Sequence, residues 1–161
     1  MLTEYSEYTI HKYWMHRALE LAKIAGDEGD VPVGAVIVDA SGKAIAQGQN
    51  RKERDQDPTA HAEILAIKAA ASKLKTWRLN QCTLYVTLEP CPMCAGAIIQ
   101  ARIGVLVYGL DDPKTGAVRT VANIPDSAAS NHRLRVIAGI QESACRQQLQ
   151  SWFANLRHSP D

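Results

Sequence analysis

The stretch TLYVTLEPCPMCAGAIIQARIGVLVYGL, residues 83 to 110, constrains this chain more than any other. An apolar run of strand length, TLYVTLE, gives way to the small-residue, helix-forming run PMCAGAIIQAR, and GVLVYGL then reads as a second strand. A strand, a helix and a strand joined this tightly form a crossover, so the two strands run parallel in one sheet. The crossover helix opens on Cys91 and Cys94, set three apart. A disulfide, a redox dithiol and half of a metal site all use that spacing, and the pair alone does not choose among them.

Other elements fall around this unit. Residues 11 to 25 place Trp14, Ala18, Leu21, Ala22 and Ala25 at helical spacing. VGAVIVD and AIAQGQN, joined by the turn ASGK, predict two antiparallel strands. DPTAHAEILAIKAAASKL predicts a helix capped by Thr59 and ending near Leu74, with His61 and Glu63 in its first turn. From Asp111 to Arg133 the chain is rich in Asp, Pro, Ser, Asn and Gly and reads as a long loop. LRVIAGI adds a last strand, and a C-terminal helix sets Cys145, Leu149, Trp152 and Leu156 at core-like spacing. The sum is a single α/β domain over residues 1–161, a three-layer α/β/α sandwich on a mixed sheet of about five strands. At 161 residues and 46% apolar content, one core is affordable and two are not.

Bulk properties narrow the setting. The longest apolar runs fall well short of the roughly 20 residues that a membrane span needs. The N-terminus carries acidic residues and tyrosines where a secretory signal needs positive charge and then an apolar segment, so the expectation is a cytoplasmic protein without a membrane partner. Four cysteines in such a setting are better read as thiols or metal ligands than as a disulfide framework. A net charge of +1 marks no broad nucleic-acid-coating surface. Arg119, His132, Arg133, Arg135, Arg146 and Arg157 all fall in the last third, either as a solvated face or as a local basic patch.

If Cys91 and Cys94 hold a metal, a third ligand is required, because catalytic zinc has three protein ligands and one open position. His61 is the candidate. It begins a helix, as the cysteines do, and both helices follow strands that can lie side by side in one sheet. Two thiolates and an imidazole suit Zn²⁺, and helix N-termini favour the thiolate form. Glu63, two residues on, faces differently from His61 on a regular helix and is not a fourth ligand, yet near the helix end its carboxylate can reach a water in the same cavity. His-x-Glu followed at a distance by Pro-Cys-x-x-Cys is the arrangement of zinc deaminases.

On these motifs, and on VPVGAVIV, GQNR, DPTAHAEI, RIG, DPKTGA, NHR and a C-terminal helix containing WF, the chain resembles the cytidine deaminase superfamily. Within it, the likeness is to the bacterial tRNA-specific adenosine deaminases. The resemblance implies one Zn²⁺ per subunit on His61, Cys91 and Cys94, with Glu63 moving protons while water displaces ammonia from a flipped-out adenine. It implies as substrate the wobble adenosine of an arginine tRNA anticodon stem-loop, and a homodimer as the assembly. Asn50 matches the asparagine that hydrogen-bonds the base. The backbone near Ala62 and after Pro90 is expected to help hold water and base, and Val31 and Val33 to wall the base pocket. Asp112, Lys114 and Thr115 match a loop near the anticodon, and Phe153 and Arg157 match positions near the RNA. Trp152, Ala154 and Asn155 depart from the family pattern and thin the basic charge of that last helix. Three other readings stand beside this one: a deaminase of a free base or nucleotide, a thiol oxidoreductase, and a zinc-stabilised binding module.

Overall fold

A computed structural model describes residues 3–160; Met1, Leu2 and Asp161, included in the single-domain reading, lie outside the described residues. Helix α1 spans Glu4–Asp27 and so begins before the apolar periodicity that starts at His11. Thr3 accounts for the early start: its hydroxyl accepts from the Ser6 amide, and Glu4 and Glu7 complement the positive end of the helix. Strands β1 (Gly34–Val38) and β2 (Ala44–Gln49) form the expected antiparallel hairpin. Its turn is held by Asp39, whose carboxylate accepts from the Ser41 and Lys43 amides.

A four-residue helix, α2 (Lys52–Asp55), precedes α3 (Ala62–Leu74). Then come β3 (Thr83–Leu88), α4 (Pro92–Gln100), β4 (Val105–Leu110), β5 (Arg135–Ala138) and α5 (Glu142–His158). The β3-α4-β4 unit has parallel strands, as its sequence demands, and β5 adds parallel to β4.

The sheet order is β2-β1-β3-β4-β5, which corrects one expectation. The strands that lead into the two helices are not neighbours, because β1 lies between them and pairs antiparallel with both. Two reversals restore direction. β2 and β3 therefore end at the same edge of the sheet, and their following helices start there together.

Alternation along the strands builds a core on each face. Ala35, Ile37, Leu84, Val86, Leu106 and Tyr108 meet Ala62, Ala66 and Ala70 of α3 and Ile98 of α4. Val36, Val38, Tyr85 and Val107 meet Met15, Ala18 and Leu21 of α1 and Cys145 of α5. The small residues on α3 let it lie close to the sheet. At Gly48 the approach is so close that a Cβ would run into the Ala62 carbonyl.

Periodicity over-reached at the C-terminal end. Cys145 of α5 is buried, but Leu156 is 57% exposed, since the sheet ends before the last turns of the helix. Trp152 instead fastens that end, its indole Nε1 donating to the Gly26 carbonyl at 3.0 Å. Among the described residues no helix is long and apolar enough to cross a membrane.

Candidate active site

Two helix starts and a strand end make the floor of the site. Asn50 leaves β2 with its side chain stretched between segments: Nδ2 donates to the Val31 carbonyl at 3.1 Å, and Oδ1 accepts from the Ala62 amide at 2.9 Å. Asn50 thus occupies an orphan amide at the start of α3, which corrects two expectations. The Ala62 amide is spent on Asn50 and is not free for water or base. Thr59 is not the cap either, because its amide and hydroxyl are both bound to Asp57 in a tight turn.

His61 therefore stands at the N-cap in extended conformation, and its imidazole makes no capping bond. Cys91 holds the equivalent place on α4, followed by Pro92, a residue preorganised for the first helical position. His61 Nδ1 lies 3.6 Å from Cys91 Sγ and 3.5 Å from Cys94 Sγ, and one ligand atom from each residue falls within 4.8 Å of the other two. Tetrahedral zinc with ordinary bond lengths requires nitrogen and sulfur about 3.6 Å apart. The three side chains fit such an ion as they stand.

Protons are shared unevenly within the cluster. The hydrogen bond with Cys94 draws the Cys91 thiol down to about 4, aided by His61 and opposed by burial. Cys94 is pushed up by sharing a proton with Cys91, by burial and by the neighbouring carboxylate of Glu63. His61 is raised by its bond to Cys91, with burial working against it. Glu63, 4% exposed in the first turn of α3, is raised above the usual carboxylate range by burial, with Cys94 and His61 pulling the other way. A carboxyl so placed lies beside the cluster, where it can exchange a proton with a water in the cavity.

His61, Glu63 and Cys91 open onto a cavity of about 680 Å³, while Cys94 is fully buried. Of the residues singled out in the sequence, Val31, Val33, Asn50, His61, Glu63, Cys91, Asp112 and Thr115 line it. Lys114 does not; its amide bonds to the Asp112 carboxylate, which also accepts from the Thr115 amide and hydroxyl. Pro90 is fully buried beneath the wall, its carbonyl taken by the Ala117 amide.

On α5 the cavity is lined by other side chains than Phe153 and Arg157. Trp152 and Leu156 line the cavity, whereas Phe153 stacks edge-on against Trp152 and is 40% exposed, and Arg157 is exposed outside it. The contact of Trp152 with the end of α1 rotates the helix to this setting.

Asp30, Lys52 and Glu89 also line the cavity, and none was singled out in the sequence. Asp30 is buried and accepts from the Glu53 and Arg54 amides, so it caps α2. Glu89 carried one readable signal, an acidic residue at the end of an apolar strand.

A family model for MafB19-like deaminases matches residues 9–157. The tRNA-specific adenosine deaminase of Bacillus subtilis is 44% identical over 149 residues, covering 92% of each chain. The one from Haemophilus influenzae is 46% identical and covers 89% of this chain and 83% of its own. The chain belongs to the tRNA-specific adenosine deaminase family. A solved structure from a study of A-to-I editing by tRNA:A34 deaminases, at the wobble position of transfer RNA, superposes with a TM-score of 0.83 at 44% identity. That match covers 85% of this chain and 99% of the other. A guanine deaminase from Nitrosomonas europaea also superposes, with a TM-score of 0.75 at 28% identity over 89% of this chain and 84% of its own. The mixed five-stranded sheet between helical layers is thus the deaminase fold of this family.

Proposed function

We propose that this protein hydrolyses adenosine to inosine at the wobble position of a tRNA anticodon, that of an arginine tRNA in particular. The observation that carries the reading is the His61, Cys91 and Cys94 cluster with Glu63 beside it on one cavity, in a chain so similar along its length to tRNA-specific adenosine deaminases. His61 Nδ1 and the two cysteine sulfurs would hold one zinc per subunit. Bound there, zinc supplies the Lewis acidity that brings the ionisation of water toward neutral pH.

The remaining work belongs to the chain. Glu63 takes one water proton on a carboxylate oxygen and passes it to the ring nitrogen, then takes the second proton of the attacking water and passes it to the amine, which leaves C6 as ammonia while the oxygen stays on that carbon. Val31 and Val33 exclude solvent from the faces of the base. Asn50 has one amide hydrogen beyond its bond to Val31, and that hydrogen orients the base. Asp112 and Thr115 stand at the cavity for the ribose, and exposed Lys114, Phe153 and Arg157 serve the flanking backbone and bases. Cys91 supports the site through its backbone as well, since its amide follows Pro90 at the start of α4. The assembly is a cytoplasmic homodimer, which sedimentation of the purified protein checks.

The test is inosine formation from two anticodon stem-loops, one with adenosine at the wobble position and one with adenosine elsewhere in the loop. Conversion of the first alone is expected. The likeness to a guanine deaminase supplies the second reading, a free base or nucleotide as substrate. Zinc-loaded protein that leaves both stem-loops intact and releases ammonia from guanine would make that reading the right one.

A further inference from the structure

We propose that Glu89 is a positioning residue for the RNA substrate: its buried carboxylate sets the loop from Asp112 to Thr120 against the cavity. The inference rests on the wobble-adenosine reading above. Glu89 sits between the end of β3 and Cys91, and 2% of it is exposed. Five donors converge on it. Oε1 accepts from the Asp112 amide at 3.1 Å and from the Thr120 hydroxyl. Oε2 accepts from the amides of Val118, Arg119 and Thr120 at 3.1, 3.0 and 3.1 Å.

The donors lie 23 to 31 residues away along the chain, on a segment with no helix or strand of its own. A carboxylate is the side chain suited to this place, because only it offers acceptor capacity on both atoms. Asp112 passes the constraint on: its amide is fixed by Glu89, and its carboxylate holds the Lys114 and Thr115 amides. Asp112 and Thr115 in turn face the cavity. Gly116 completes the fit, since a Cβ there would stand 2.5 Å from Glu89 Oε1 and 2.6 Å from the Asp112 carbonyl. The segment that carries Cys91 and the loop that meets the RNA are thereby fastened at Glu89, beside the bond from the Ala117 amide to the Pro90 carbonyl.

Glu89→Gln keeps one acceptor atom for the Val118, Arg119 and Thr120 amides and turns an amide nitrogen toward Asp112. Steady-state kinetics on the wobble-adenosine stem-loop should show KM raised about tenfold with kcat nearly unchanged. Zinc should stay at about one per chain. Amide hydrogen exchange at Asp112 should speed up by a similar factor. Gly116→Ala, which displaces the loop and leaves Glu89 intact, should raise KM in the same direction, and Thr120→Val by less. A carboxylate that merely supported the fold would lower the melting temperature and the active fraction and leave KM where it was. An unmoved KM in both Glu89→Gln and Gly116→Ala, beside an active parent, overturns this inference alone. A zinc-loaded parent that forms no inosine overturns the functional reading on which it rests.

Discussion

The two sides of the cavity are built differently. His61, Glu63, Cys91 and Cys94 stand on the first turns of α3 and α4, which are locked to the sheet by buried side chains. Asp112 and Thr115 stand on a loop whose shape depends on hydrogen bonds to carboxylates. Reacting groups tolerate little misplacement, and helix starts anchored in a core hold them to a fraction of an ångström. A surface that must accept a folded RNA has different needs, and a loop can be reshaped without disturbing the core.

The contrast makes graded predictions. Cys94→Ala on the rigid side should abolish inosine formation and leave bound zinc, measured by elemental analysis, at about none per chain. Glu63→Ala should lower turnover by about two to four orders of magnitude while the protein keeps its zinc and its melting temperature. Full turnover in that variant would remove Glu63 from proton transfer and erase the distinction between the two sides. Asn50→Ala strands the Ala62 amide and the Val31 carbonyl, and should lower the melting temperature by about 4 to 8 °C along with activity. Trp152→Phe loses the bond to Gly26 and part of the ring, and should cost about 1 kcal/mol, or about 2 to 4 °C.

The smallest effect is expected far from either side. His11 is held below its ordinary value of 6.5 by burial, with Glu7 opposing and the Arg135 charge assisting. Its ring nitrogen Nδ1 meets the Tyr85 hydroxyl at 2.8 Å. Neutral in the fold, it gains a proton in the unfolded chain as pH drops through 6.5. Its contribution is therefore complete above 6.5 and is lost as pH falls toward the folded value. Urea midpoints at pH 7 and pH 5.5 should converge in His11→Gln relative to the parent, because glutamine does not titrate.

The metal cluster was legible in the sequence because ligand chemistry is local: a Cys-x-x-Cys at a helix start and a His-x-Glu at another restrict the possibilities severely. The crossover was legible for the same reason, since β3, α4 and β4 follow one another closely. Sheet order was not. Nothing in VGAVIV states that it pairs with TLYVTL as well as with its hairpin partner, and pairing across such distances is settled by the whole core. Thr59 had the right chemistry for a cap, but Asp57 competed for it and Asn50 took the amide. An acidic residue ending an apolar strand marked Glu89 as unusual, but its role was not legible, because its partners are invisible until the loop folds over it. On α5 the periodicity identified the helix, while the bond from Trp152 to Gly26 decided which side chains face the cavity.

The position of β1 between β2 and β3 also bears on how the chain would acquire a metal. His61 and Cys91 are 30 residues apart, on helices that follow strands separated by β1, so the cluster cannot preassemble as a local hairpin or helix. Closure over that distance is expected late in folding, after β1 has paired with both neighbours. A zinc ion held by this cluster would then bind a finished architecture, and partly folded chains would lack a high-affinity site. Tight metal uptake becomes a reporter of completed folding, one that a stopped-flow experiment with a zinc-sensitive dye could time against the burial of Trp14 and Trp152.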